Sequence, residues 1–326
     1  MIRLVFPEFD AYDEALPCAH GHRVLRGRPQ RDWRLAIVDL HGVRLMMGRA
    51  GAASIYSGAG SAGLYSMVIP LTRHDHVLVD GHRLNTETIA WMAPGRVFHI
   101  DSRQPASWLS VTISRELLMS WLASNEDDGD PVLLNRNVVR LASRPIAELT
   151  HLAQRLFQAD TQRAGESCAP AVEHAARVEV LDTTLRALLP LSSDRTAGRP
   201  AIQRAQVLDR ALGLMRAMGD EPVYTEDLCR AAGVSERTLR NVFYEHFGIA
   251  PHRYLTIARL NRVRAAIREA GPGDTISSIC ADAGIWDFGR FAHQYRELFG
   301  VLPSQHLAVN RPVSRHKPFA RGAACA

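Results

Sequence analysis

The sequence is poor in several features that would mark a different kind of protein. Its five cysteines, among 326 residues, are isolated, odd in number and without a CxxC spacing. That argues against a disulfide framework or a zinc finger and fits a reducing compartment. No apolar run approaches the roughly 18 residues needed to cross a bilayer, so no membrane association is expected. The first ten residues carry acidic side chains and a proline but no apolar signal core, so a cytoplasmic location is expected. Lysine is nearly absent: of 39 basic residues, only Lys317 is not arginine. No phosphate-binding loop, nucleophile elbow or HExxH motif occurs, and neither an enzymatic activity nor a cofactor is indicated.

What is present is globular. With 46% hydrophobic and 22% charged residues, the chain is long enough for two cores of ordinary size. The net charge of +5 is unevenly placed. Up to Pro200 there are 22 basic and 22 acidic residues; from Ala201 there are 17 and 12, a difference of 5. The last third therefore carries the whole excess, which points to a polyanion-binding module.

From Trp33 to Ile113 short apolar or alternating runs, such as Arg34–Leu40, Val43–Gly48 and Trp108–Ile113, are separated by Gly, Asp, Asn and Pro. This texture predicts an antiparallel sandwich or barrel. Ser114 is a predicted N-cap for a helix to about Ala123, and amphipathic spacing predicts helices over about 145–160 and 170–189. The stretch 191–203 has linker composition, and the basic residues beyond 310 lack periodicity. The expected organisation is a strand-rich domain over 1–143, a helical segment over 144–190, and an all-helical domain over 204–310.

That last domain repeats itself. The stretch LCRAAGVSERTLRNVFYEHFGIAP, from Leu228, aligns with ICADAGIWDFGRFAHQYRELFGVLP, from Ile279. Leu228, Cys229, Ala232 and Gly233 match Ile279, Cys280, Ala283 and Gly284, and the closures Phe247–Pro251 and Phe299–Pro303 match with one further residue of offset. The extra residue is Trp286. Each copy reads as a short helix ended by glycine, then a second helix capped by Ser235 or Asp287. Such a helix-turn-helix lays its second helix in the DNA major groove. A long helix over about 252–270 joins the copies, and spacing the two heads about 34 Å apart would let both enter successive major-groove faces.

From about Arg204 to His306 the sequence resembles the DNA-binding domain of AraC/XylS-type bacterial transcription regulators. The resemblance rests on AGVS with Leu239 and Phe243, then FGIAPHRYL with Arg259 and Leu260, then Gly284-Ile285, and finally Phe291, Tyr295 and FGVLP. Ile285 and Tyr295 stand where the family usually has phenylalanine. The resemblance implies promoter DNA and RNA polymerase as partners. It also implies an α+β chain with a cupin-like N-terminal antiparallel β-barrel that takes a small-molecule effector. The 144–190 helices form a homodimer interface in similar regulators, and packing on the barrel is the alternative use of their apolar faces.

In the first recognition helix the resemblance places Arg237, Arg240 and Asn241 at the groove, with Ser235 and Thr238 at the helix start. The residue types suit this, since arginine pairs with guanine O6/N7 and asparagine with adenine N6/N7. The corresponding set in the second head is Asp287, Phe288, Arg290 and His293, with Arg296 as a phosphate contact. Phe288 and Gly289 offer no side-chain hydrogen bond, so the second head is expected to be the less base-specific.

For the effector, Tyr56, Tyr65, Trp91, His99 and Trp108 are candidate lining residues, with plain core the competing role. The outline of a metal site exists in His74, His76 and His99. It supports an alternative reading, a cupin-type metalloenzyme fused to a DNA-binding module.

Overall fold

The computed structural model describes residues 2–16, 19–72, 76–124, 137–141, 143–162, 170–188, 199–219 and 221–310. Residues 191–198 of the expected 191–203 linker, the basic tail and His74 lie outside the described residues, while 199–203 are helical. The chain divides into two compact units, Met1–Gly219 with Val223–Ala258, and Asp220–Pro222 with Arg259–Ala326.

The first unit runs β1 (Ile2–Phe6), α1 (Phe9–Glu14), β2 (Ala19–Leu25), β3 (Trp33–Asp39), β4 (Val43–Ala50), β5 (Ser54–Gly60), β6 (Leu64–Pro70), β7 (Val77–Val79), β8 (His82–Arg83), β9 (Thr88–Met92), β10 (Val97–Ser102), β11 (Ala106–Ser114), α2 (Arg115–Ser124) and β12 (Val138–Arg140). It continues with α3 (Ser143–Gln162), α4 (Pro170–Leu188), α5 (Arg199–Ala217), α6 (Thr225–Ala232), α7 (Glu236–Phe247) and the start of α8 (Pro251–Glu269). Helix α5 begins at Arg199, ahead of the expected Arg204.

The strands do not close into the expected barrel. They form a seven-stranded sheet, ordered β1-β3-β4-β11-β6-β9-β12, and a five-stranded sheet, ordered β2-β5-β10-β7-β8. Among the described residues these strands pair antiparallel, and Gly60 adds an isolated parallel bridge to Pro94. Two tight hairpins follow from local sequence: His41-Gly42 and Asp80-Gly81 both have positive φ at both positions, the requirement of a type I′ turn that matches strand twist.

Side-chain parity divides the large sheet into two faces. Leu45, Met67, Trp91, Leu109 and Val111 point one way, into a core with Leu149, Leu152 and Phe157 of α3 and Val180, Leu185 and Leu188 of α4. Each fully buried side chain of this kind contributes about 1.5–3 kcal/mol. Of the two uses that the sequence left open for the 144–190 helices, a dimer interface or packing on the strands, these buried residues serve the second. The other parity, with Ala90 and Met92, packs against Tyr56, Val79 and Phe98 of the five-stranded sheet.

Strand β5 (SIYSGAG) has no counterpart among the runs read from sequence. Its small residues reflect crowding. A Cβ on Gly60 would stand 2.2 Å from the Ala93 carbonyl oxygen, and one on Gly21 of the paired strand β2 would stand 2.4 Å from that of Ser57.

The second unit holds the rest of α8, α9 (Ile276–Asp282), α10 (Phe288–Phe299) and α11 (Pro303–Asn310). Its core includes Ile279, Cys280, Ile285, Phe291, Tyr295, Leu298 and Phe299. Tyr295, in place of phenylalanine, keeps its ring buried and meets His306 Nδ1 with its hydroxyl at 2.7 Å.

Candidate nucleic-acid interface and effector cavity

The two recognition helices are built alike. In α7 the Ser235 hydroxyl accepts from the Thr238 amide at 3.3 Å, and in α10 the Asp287 carboxylate accepts from the Arg290 amide at 3.0 Å. These caps satisfy donors that a helix start otherwise leaves free. The helices end at Gly248 and Gly300, both left-handed at φ 65° and 82°, a conformation that costs glycine little. The preceding turns differ. Gly233 caps α6 at φ 68°, whereas α9 is capped by Ala283 and its glycine, Gly284, follows one residue later at φ 66°.

Burial divides each helix cleanly. Leu239, Val242, Phe243 and Phe247 are buried in α7, as are Phe291, Tyr295, Leu298 and Phe299 in α10. On the first helix Ser235, Arg237, Thr238, Arg240 and Asn241 are exposed. Arg237, Arg240, Asn241 and Tyr244 fall at one-face spacing, and the Arg240 guanidinium lies 5.7 Å from the Tyr244 ring centre. On the second, Asp287, Phe288, Arg290, His293 and Arg296 are exposed, with His293 Nε2 3.5 Å from Glu297. Trp286 has no equivalent in the first copy and is 76% exposed, directly before the cap. Sequence marked it only as an inserted residue.

The first head packs on the outer face of the five-stranded sheet. Ile55 of β5 joins the cluster of Leu208, Leu239, Phe243, Phe247 and Tyr254. Arg26 Nη1 donates to Asp101 Oδ1 at 2.5 Å and to the Phe247 carbonyl oxygen at 2.8 Å. His99 meets Ser57 Oγ at 3.0 Å and stands edge-on to the Phe247 ring, centres 6.0 Å apart. Ser57 also hydrogen-bonds the buried Tyr254 hydroxyl, and Asp80 faces His246. Neither Arg26 nor Asp101 was singled out in the sequence; an aspartate within a strand run, beside His99, was the available signal.

Burial holds His99 neutral, with its pKa lowered to about 3 and the nearby His246 and Arg216 adding to the effect. His246 is lowered as well, mainly by burial. Both imidazoles stay neutral in the folded protein while their unfolded counterparts take a proton near pH 6.5. Their contribution is therefore complete above that pH and is lost as the pH falls below it, toward the folded values. At pH 5 His99 alone is expected to remove roughly 2 kcal/mol, at about 1.4 kcal/mol per pH unit. Denaturant unfolding at pH 7.5 and pH 5 measures this, and His99→Gln should flatten the dependence.

Between the sheets lies a cavity of about 100 Å³. Of the five candidate lining residues, Tyr56 and Trp108 are there. Tyr65 and Trp91 are not: they have the opposite parity, stack at 5.8 Å and belong to the core under α3 and α4. His99 is a further correction, because alternation along β10 turns Ile100 and Ser102 to the cavity and His99 and Asp101 to the helix-turn-helix. Among the described residues no group of three or more His, Cys, Asp or Glu side chains is arranged to hold a metal ion. No helix among them is long and apolar enough to cross a membrane.

Comparison with known proteins bears on the C-terminal part. A helix-turn-helix domain family matches residues 228–308. A probable thc operon regulatory protein of Rhodococcus erythropolis is 33% identical over 98 residues, 30% of each chain. A XylDLEGF operon transcriptional activator of Pseudomonas putida is 37% identical over 83 residues, 25% of this chain and 26% of that one. The alignments thus span under a third of these relatives. Among solved structures, an AraC-type transcriptional regulator from Chromobacterium violaceum is 31% identical, covering 32% of this chain and 91% of that one, with a TM-score of 0.29. With its repeated capped heads and the motifs from AGVS to FGVLP, the C-terminal part of the chain is a helix-turn-helix domain of the AraC/XylS type.

Proposed function

We propose that the protein is a sequence-specific DNA-binding transcription regulator that acts in the cytoplasm on promoter DNA and RNA polymerase. The observation that carries this reading is the repeated recognition helix, buried on one side and presenting Arg237, Arg240 and Asn241 on the other. Arg237 and Arg240 pair with guanines, Asn241 supports an adenine contact, and the capped helix starts with Arg290 and Arg296 hold phosphates. Affinity should fall steeply with salt, as counterions are released from each neutralised phosphate. Electrophoretic mobility shift of a promoter fragment against an equal length of random DNA tests the reading: equal affinity for both would overturn it.

The heads are expected to differ. Phe288, 43% exposed, and Trp286 offer apolar contact to thymine methyls in place of hydrogen bonds. Each base-pair change under the first head should cost about 1–3 kcal/mol, and changes under the second distinctly less. A binding series over single-base variants of one site checks this, and equal costs under both heads would contradict it.

Response to an effector follows from β10. One face of that strand lines the cavity through Ile100 and Ser102, and the other holds α7 through His99 and Asp101. A ligand that favours one setting of β10 biases the docking of the first head, a shift in a pre-existing equilibrium.

A further inference from the structure

The ligand chemistry of the cavity is legible in its walls. Most of the lining is apolar, with Met46, Val68, Ala90, Met92 and Ile100 among it. Its volume, about 100 Å³, is of the same order as an engineered apolar cavity of about 150 Å³ that takes up benzene. One polar atom is out of place. Ser110 lines the cavity and is 1% exposed, and its hydroxyl has no hydrogen-bond partner. Leaving a buried hydroxyl unpaired is costly, and nothing about strand pairing requires serine there, since its cross-strand partners Met46 and Val68 are apolar. The nearby Ser66 is already satisfied by Thr112, at 2.9 Å.

The charged group at the wall is also satisfied. Arg23 donates from Nε to Asp13 at 2.8 Å and from Nη1 to Ser54 Oγ at 3.0 Å, and lies 4.8 Å from the Tyr56 ring centre. With Asp13 it forms a buried pair without net charge, the two side chains 7% and 15% exposed. A carboxylate entering beside it would add a negative charge with no cation left to match it, and desolvating such a charge is unfavourable.

Resting on the effector reading above, we infer that the cavity binds a small uncharged molecule, one ring or a short alkyl chain in size, whose single polar group hydrogen-bonds Ser110. A charged carboxylate of the same size is rejected.

The test is calorimetric titration of the full chain with benzyl alcohol, benzoate and toluene. Benzyl alcohol is expected to bind at least tenfold more tightly than benzoate. Ser110→Ala should weaken benzyl alcohol about fivefold, the equivalent of one net hydrogen bond, and leave toluene unchanged; Ser110→Thr should restore alcohol binding. The empty Ser110→Ala protein should melt above the parent, because an unpaired hydroxyl is gone. Benzoate binding as tightly as the alcohol overturns the inference, as does an alcohol affinity indifferent to Ser110→Ala, or no binding of any probe. DNA binding measured on the same samples keeps the two readings apart. An empty cavity in a protein that selects promoter DNA sinks the ligand inference alone. Alcohol binding in a protein without DNA preference sinks the regulator reading alone.

Discussion

Phe247→Ala is expected to cost about 3–5 kcal/mol of stability, the range for removing a fully buried aromatic side chain. Phe247 closes the first repeat and is completely buried. Its ring packs on Phe243 and Tyr254 at 5.7 and 5.3 Å inside the helix-turn-helix, and on His99 of β10 at 6.0 Å. Its carbonyl oxygen accepts from Arg26, which also pairs with the buried Asp101. The substitution thus opens a void shared by the first head and the sheet, and the neighbours on two elements cannot all move to fill it. Phe247→Leu keeps most of the volume and should cost under about 1.5 kcal/mol. Chemical denaturation of the two variants beside the parent checks both values. A loss below about 1 kcal/mol for alanine would show that this junction is not packed as described, since cavity formation alone exceeds it.

The second large effect concerns recognition. Arg237→Ala combined with Arg240→Ala should leave folding intact, because both side chains are exposed, and should lower affinity for the specific site by roughly a hundredfold or more. Each bidentate arginine–guanine pair discriminates by about 1–3 kcal/mol, and 1.4 kcal/mol is tenfold. The loss should appear mainly as lost specificity, so that variant and parent converge on random DNA. Arginines that only touched phosphate would produce another result: affinity would fall alike on all sequences, with a shallower salt dependence. Fluorescence anisotropy on specific and random duplexes, at two salt concentrations, separates the outcomes.

The helical part was legible in the sequence because its signals are local and doubled. A glycine that needs a left-handed conformation, a serine or aspartate three residues before the amide it caps, and apolar positions at helical spacing all lie within one copy, and the second copy repeats them. Where the copies diverge, the divergence was also visible, as with Trp286 and Tyr295. The strand-rich part was legible in type but not in face. Both sides of the seven-stranded sheet are covered, so Trp91 and Met92 look equally suited to a cavity, and only tertiary packing puts Met92 in it and Trp91 under the helices. For the same reason His99 looked like a ligand of the cavity while it sits against Phe247. Strand β5 was hidden because close backbone contacts select glycine and serine there, against the composition by which strands are recognised.

The central claim is sequence-specific reading of DNA by two unequal heads, and selection of bound duplexes from a random library by the full chain tests it most directly. The expected result is an enriched site with two contacted segments about one helical turn apart, strictly constrained under the first head and loosely under the second. Recovery of a pool no different from the input would contradict it.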